Sequence, residues 1–133
     1  MTQYRISQAA RLLGVSDDTV RRWIASADVA VSQDAAGRQV IAGSELARRA
    51  QQNAVPIDDS LGIGSSARNR MVGLVTHVRS DSVMSQVELQ CGPHRIVSLM
   101  STEAVGELGL EVGSLAVAVV KATMVIVEAP VAP

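Results

Sequence analysis

Apolar residues fall at helical spacing along the first fifty positions of the chain and at alternate positions after residue 66. Ile6, Ala9, Ala10 and Leu13 recur three and four apart, which predicts a helix with Ser7 placed to cap its start and Gly14 ending it. "VSDDTVRRWIASA" predicts a second helix. Ser16 is the N-cap, Asp17 and Asp18 suit the positive end of the helix dipole, and Val15 can staple onto Val20. Val20, Trp23 and Ile24 form its apolar face, with Asp18 and Arg22 projecting roughly opposite, flanked by Thr19 and Arg21. "VAVSQDAAGRQVI" reads as two short β pieces around a Gly-containing turn, and "SELARRAQQ" as a third helix capped by Ser44.

The apolar period disappears over "QQNAVPIDDSLGIGS", which carries a proline, two glycines and an acidic pair and reads as a linker. Beyond it the period is two. "SVMSQVELQ" sets Val83, Ser85, Val87 and Leu89 on one face. "HRIVSLMS" and "SLAVAVVKATMVIVE" are β-rich, and "STEAVGELGL" is a short helix ended by Gly109. Some five short strands with one helix predict a small closed or partly closed barrel of OB-like type. The expected fold class is α+β: a winged helix-turn-helix domain over residues 1–52, a linker over 53–64, and an OB-like β-barrel over 65–129.

Composition sharpens this picture. Apolar residues make up 47% of the 133 and aromatics 2%, so the cores must be built from Val, Leu, Ile, Ala and Met. The net charge of −1 excludes a polybasic chain, yet residues 1–55 hold seven arginines against five acids. Cys91 is alone, which rules out an internal disulfide framework and favours a reducing compartment. With no signal segment and no apolar run of transmembrane length, a cytoplasmic location and no membrane partner are expected. Neither His77 nor His94 has a Cys, Ser or carboxylate at a catalytic or ligand spacing, so no enzyme and no metal site is expected, and both read as strand surface residues.

The first half has the pattern of a DNA reader. A helix, a Gly-containing turn and a capped helix bearing an arginine pair would set the second helix in a major groove. There Arg21 and Arg22 can fork onto guanine or phosphate and Thr19 can reach either. A solvated face is the plain alternative for an isolated arginine pair; the preceding turn and Trp23 on the buried side favour DNA. "YRISQAARLLGVSDDTVRRWI" resembles the DNA-binding domain of MerR-type and excisionase-like winged-helix proteins over residues 3–50. That resemblance implies DNA contacts from Ser16, Asp18, Thr19, Arg21 and Arg22, and a phosphate contact from Arg38 in a wing at "AAGRQVI".

The second half has no Phe, Tyr or Trp after residue 51, which excludes a barrel that stacks bases on aromatic platforms. It has donors instead. "SSARNR" sets two hydroxyls, an asparagine and two guanidiniums in a row with no carboxylate; Ser101 and Thr102 open the short helix; Lys121, the single lysine, is followed by Thr123. Convergent N–H and O–H donors with one or two cations suit a desolvated anion. A helix cap for Ser101 and a strand-edge charge for Lys121 are the plain readings of each alone.

Together, "SARNRMVGLV" and "LGLEVGSLAVAVVKATMVIV" resemble the Mop (TOBE) domain of molbindins and of ModE-type molybdate regulators over residues 65–128. The resemblance implies molybdate or tungstate as the ligand, held at interfaces between Mop domains. The implied oxyanion-binding residues are Ser66, Ala67, Arg68, Asn69, Ser101, Lys121, Ala122 and Thr123. One hydroxyl position of the family falls on Ala104, whose side chain cannot hydrogen-bond. The implied assembly is a homo-oligomer, a dimer or a hexamer built as a trimer of dimers. The expected function is a molybdate/tungstate-responsive DNA-binding transcriptional regulator. The alternatives are a storage or homeostasis protein without regulatory DNA binding, and a DNA-binding architectural protein whose barrel only oligomerises.

Overall fold

The computed structural model describes residues 2–55 and 61–131. The chain divides into two units, Met1–Pro56 and Ile57–Pro133.

The first unit runs β1 (Gln3–Arg5), α1 (Ile6–Leu13), α2 (Asp17–Ala25), β2 (Ser32–Gln33), β3 (Gln39–Ala42) and α3 (Gly43–Asn53). β3 lies between β1 and β2, antiparallel to both. Ala9, Ala10, Val20, Val29, Ile41 and Leu46 are buried together, with Val15, Trp23 and Ile24 packed around them. The apolar periodicity of α1 and α2 thus builds this core. Gly14 adopts φ 67°, the left-handed conformation that closes α1, and Val15 N–H donates to Ala10 O at 3.0 Å.

Two expected caps are corrected. Ser7 lies inside α1, whose N-cap is Arg5; the Arg5 backbone N–H donates to Gln8 Oε1 at 2.9 Å. Ser44 lies inside α3, whose N-cap is Ala42. In both places the sheet sets the cap. β1 and β3 pair as far as Gln3 with Ala42, and Gly43 N–H donates to Thr2 O, so each helix starts where its strand stops. The three-residue β1 carries too short an alternation to show in the sequence.

The second unit runs β4 (Asn69–Ser80), β5 (Met84–Cys91), β6 (His94–Ser101), α4 (Thr102–Leu108), β7 (Leu115–Val120) and a 3-10 turn (Ala122–Met124). The strands form one antiparallel sheet in the order β6-β5-β4-β7. A bulge between Val75 and His77 shifts the β4–β5 register, and such bulges bend and twist a strand. At Gly73 a Cβ would stand 2.4 Å from Gln90 O and 2.6 Å from Cys91 Sγ, so only glycine permits this approach of β4 to β5. Val75, Val87, Leu89, Cys91 and Val105 form the buried core. Burial raises the Cys91 thiol pKa, in keeping with a small apolar core residue.

The sheet curls into an OB-like half-barrel and does not close. Among the described residues four strands form rather than five, and "MVIV" pairs with none of them. Past β7 the chain makes the 3-10 turn, and Ile126 and Val127 are 86% and 85% exposed. Val83 is likewise outside β5. Asp81 Oδ1 accepts the N–H groups of Val83 and Met84 at 2.8 Å each, folding Val83 into the turn and leaving Ser85, Val87 and Leu89 as the buried stripe. An apolar cavity of about 660 Å³ opens among β5, β6, β7 and α4, lined in part by Leu89, Met100, Leu110 and Ala118. No helix among the described residues is long and apolar enough to cross a membrane.

Candidate functional sites

In the first unit the second helix presents its polar crest as its spacing implies. Ser16 Oγ accepts the Thr19 N–H at 3.1 Å, and the two hydroxyls share a hydrogen bond at 2.9 Å. Arg22 Nη2 donates to Thr19 Oγ1 at 3.0 Å. Arg21 instead pairs with Asp18 across 3.6 Å of exposed surface. Ser16, Asp18, Thr19, Arg21 and Arg22 therefore lie along one helix, from its N-cap to its last turn.

Arg38 sits at the turn between β2 and β3. Its Nε donates to Asp34 Oδ2 at 3.0 Å, while Asp34 Oδ1 accepts the N–H groups of Ala36 and Arg38 at 2.9 Å each. These bonds, the Arg38 backbone N–H first among them, hold the Asp34 carboxyl below its ordinary pKa. Behind the crest, Arg49 lies 4.1 Å over the Trp23 ring, a cation–π contact that the linear spacing of the two residues does not announce.

In the second unit the donors separate into two groups. The β4–β7 ladder ends with Asn69 opposite Val120, and Asn69 Nδ2 donates to Val120 O at 3.1 Å. Directly beyond this pair Arg68 precedes Asn69 and Lys121 follows Val120, so "SARN" and "VKAT" meet at one end of the sheet. Ser66, Arg68, Lys121, Ala122 and Thr123 are all exposed there. Lys121 is not inside a strand, as its apolar surroundings led one to expect. It is the first residue past β7 and caps the 3-10 turn with its carbonyl, which accepts Met124 N–H at 2.9 Å. No Asp or Glu occurs in residues 61–80 or 112–127, the stretches that carry Arg68 and Lys121.

Ser101 is elsewhere. It ends β6 opposite Met84, near the β4–β5 turn, where its Oγ accepts the Ala104 N–H at 3.1 Å and keeps its own hydrogen to donate. Along β4 from Asn69 to Ser80 the chain rises roughly 36 Å at about 3.3 Å per residue, and the register puts Ser101 at the far end of that run. One chain does not bring Ser101 to Lys121.

Sequence reasoning missed what fixes the Ser101 end. Ser85, 1% exposed, shares hydrogen bonds with Ser80 Oγ at 2.7 Å and Thr102 Oγ1 at 2.9 Å, and Thr102 Oγ1 donates to Asp81 O at 2.9 Å. The available signal was a serine on a stripe otherwise made of Val and Leu. His77 and His94 are exposed on their strands, as read; His77 Nδ1 stands 3.3 Å from Glu88, whose carboxyl pKa is lowered chiefly by a hydrogen bond from Arg95. Among the described residues no three His, Cys, Asp or Glu gather as a metal site.

A helix-turn-helix unit followed by an OB-like half-barrel defines the class of this two-unit chain. The TOBE domain family matches residues 65–127, and the helix-turn-helix domain family matches residues 4–54. A probable molybdenum-pterin-binding protein of Haemophilus influenzae is 43% identical over 63 residues, covering 47% of this chain and 91% of that protein. Molybdenum-pterin-binding protein 2 of Clostridium pasteurianum is 38% identical over 65 residues, covering 48% and 96%. Among solved structures, the cytoplasmic molybdate-binding protein ModG with molybdate bound is 42% identical, with a TM-score of 0.45, covering 48% of this chain and 46% of that one. The chain belongs to the TOBE-domain family of the molybdenum-pterin-binding (Mop) proteins, and carries a helix-turn-helix domain N-terminal to its TOBE domain.

Proposed function

We propose that this chain is a DNA-binding regulator that senses molybdate or tungstate and catalyses no reaction. The observation that carries the reading is the meeting of "SARN" and "VKAT" at the Asn69–Val120 end of the sheet. Two cations, Arg68 and Lys121, stand there with the hydroxyl residues Ser66 and Thr123, in stretches of sequence that carry no carboxylate from 61 to 80 and from 112 to 127. Like charges so placed repel unless an anion joins them, and a dianionic tetrahedral oxyanion offers four acceptors to such donors. Asn69, Ala67 and Ala122 flank the ion through backbone or side chain. The names of the two curated relatives support molybdenum as its central atom.

Ser101 joins the site from a second copy, because in its own chain it lies a sheet's length away. The half-barrel is suited to such assembly. Among the described residues both outer strands have open edges, the cavity between them is largely apolar, and Val125, Ile126 and Val127 are exposed beyond β7. The implied working form is a cytoplasmic homo-oligomer, a dimer or a trimer of dimers, whose helix-turn-helix units contact DNA through Ser16, Asp18, Thr19, Arg21, Arg22 and Arg38.

A storage protein is the second reading, favoured by one observation: 47% and 48% of this chain cover 91% and 96% of the two curated relatives, so those relatives hold little beyond the matched part. Specific DNA binding discriminates. In the regulator, molybdate must favour one arrangement of the assembly over another, since equal affinity shifts nothing. The test is duplex affinity of the full chain, with and without saturating molybdate at fixed salt, beside native mass spectrometry for stoichiometry and ligand occupancy. A change of about 5- to 150-fold in duplex affinity is expected. Equal dissociation constants leave storage or an architectural role, and an ion-free mass spectrum in molybdate overturns the oxyanion reading itself.

A further inference from the structure

The crest of α2 carries more than a positive charge. Of the three arginines on the face proposed to meet DNA, Arg21 pairs with Asp18 and Arg38 with Asp34, both carboxylates. Arg22 is held differently, by the Thr19 hydroxyl, which is itself tied to Ser16. Thr19 accepts from Arg22 and can pass its own hydrogen to Ser16, so the relay draws the guanidinium toward the N-terminal end of the helix at no cost to its charge. One of five guanidinium N–H donors is used. The others remain, in the fork geometry that matches two acceptors side by side.

Asp18 lies one turn before Arg22 on the same crest, with a side chain 92% exposed. A carboxylate there is unfavourable against a phosphate, and Asp17 beside it adds a second. The N-terminal turn of α2 is therefore poorly suited to seat on a DNA backbone. Over base edges the same carboxylate has a partner, because cytosine N4 presents a donor in the major groove, while guanine O6 and N7 present the two acceptors an arginine fork takes. Residues four apart on a helix rise about 6 Å, close to two base-pair steps.

We infer that α2 reads bases rather than backbone: Arg22, positioned by the Ser16–Thr19 relay, selects a guanine, and Asp18 selects a cytosine about two steps away. Arg21, on the flank, turns to phosphate when Asp18 engages its base. This rests on the DNA-binding reading above and gives that reading a sequence preference rich in G·C pairs.

The test is selection by the full-length protein from duplexes with a randomised central segment, for the wild type, Arg22→Ala, Arg22→Lys and Asp18→Ala. Circular dichroism serves as the control for helix content. The wild type should enrich sites with a constant guanine and a constant cytosine. Arg22→Ala and Arg22→Lys should lose the guanine alone, because a lysine ammonium keeps the charge but cannot fork; Asp18→Ala should lose the cytosine alone. On the selected site, replacing that guanine with 7-deazaguanine should weaken the wild type by at least about fivefold and leave Arg22→Ala unchanged. Arg22→Lys should keep the salt dependence of the wild type. Uniform weakening by Arg22→Ala, with an unchanged selected sequence and a salt slope lower by about one, would make Arg22 a phosphate contact and overturn the inference while DNA binding stood. If no duplex is enriched by the wild type, the DNA-binding reading fails and this inference with it.

Discussion

Lys121→Ala separates binding from folding more cleanly than any other change at the proposed oxyanion site. The side chain is exposed, and the residue's structural duty falls to its backbone, whose carbonyl accepts the Met124 N–H. Alanine keeps that carbonyl, and the Asn69–Val120 bond that anchors the end of β7 involves neither side chain of the substituted pair. Stability should therefore change by no more than about 0.5 kcal/mol. What is lost is a charge-assisted hydrogen bond to the ion, worth about 1.5–3 kcal/mol, or roughly 10- to 150-fold in affinity. Arg68→Ala should cost a similar amount. The double variant should lose less than the sum, since each cation also repels the other in the empty site and removing one relieves the survivor. The assay is calorimetric titration of molybdate into the full-length protein at fixed salt, with thermal unfolding run on each variant. Sulfate, smaller and leaving some donors short of contact, should bind the wild type more weakly. Unchanged molybdate affinity in both single variants, with their unfolding also unchanged, would refute the placement of the ion at this end of the sheet.

Other outcomes follow from the same structure. Gly73→Ala drives a Cβ to 2.4 Å from the backbone of Gln90, so β4 and β5 must part there; a loss of about 1–3 kcal/mol in urea unfolding is expected, and a neutral result would contradict the close approach. Ala27, at φ 60°, bears a Cβ in the left-handed region, so Ala27→Gly should leave stability unchanged or raise it by up to about 1 kcal/mol, whereas a loss would point to a packing role for that methyl. Asp34, Asp81 and Glu88 all have lowered pKa values, caused first by the backbone N–H of Arg38, the backbone N–H of Met84 and the side chain of Arg95, respectively. The unfolded chain binds these protons first, so their contribution is complete above about pH 5 and fades as pH falls below about 4; stability that rises on acidification through this range would reverse the sign. Analytical ultracentrifugation at micromolar concentration with molybdate present should show an oligomer, and a clean monomer would contradict assembly through the half-barrel.

The sequence by itself determined what each segment is. The three-and-four spacing of Ile6, Ala9, Ala10 and Leu13 makes α1, and the Ser16 cap with Asp17 and Asp18 starts α2. Gly14 and Gly109 end helices because both must turn left-handed. Alternation makes β5, and the run of donors without carboxylates in "SSARNR" is what the proposed anion site rests on. These are local properties, written within a few residues of where they act. Tertiary structure decided where the elements stop and what they meet. Ser7 and Ser44 are good capping residues, yet the β1–β3 ladder carries each strand up to Arg5 and Ala42, and a helix can begin only where the ladder lets go. Alternation in "MVIV" permits a strand but does not supply a partner, and among the described residues that segment pairs with none. The donors of the proposed oxyanion site show the same division most plainly. The residue types in "SARN", at Ser101 and in "VKAT" are legible one by one. That two of the groups share an end of the sheet while Ser101 stands at the other follows from strand register, which depends on hydrogen bonds between residues some fifty positions apart in the chain.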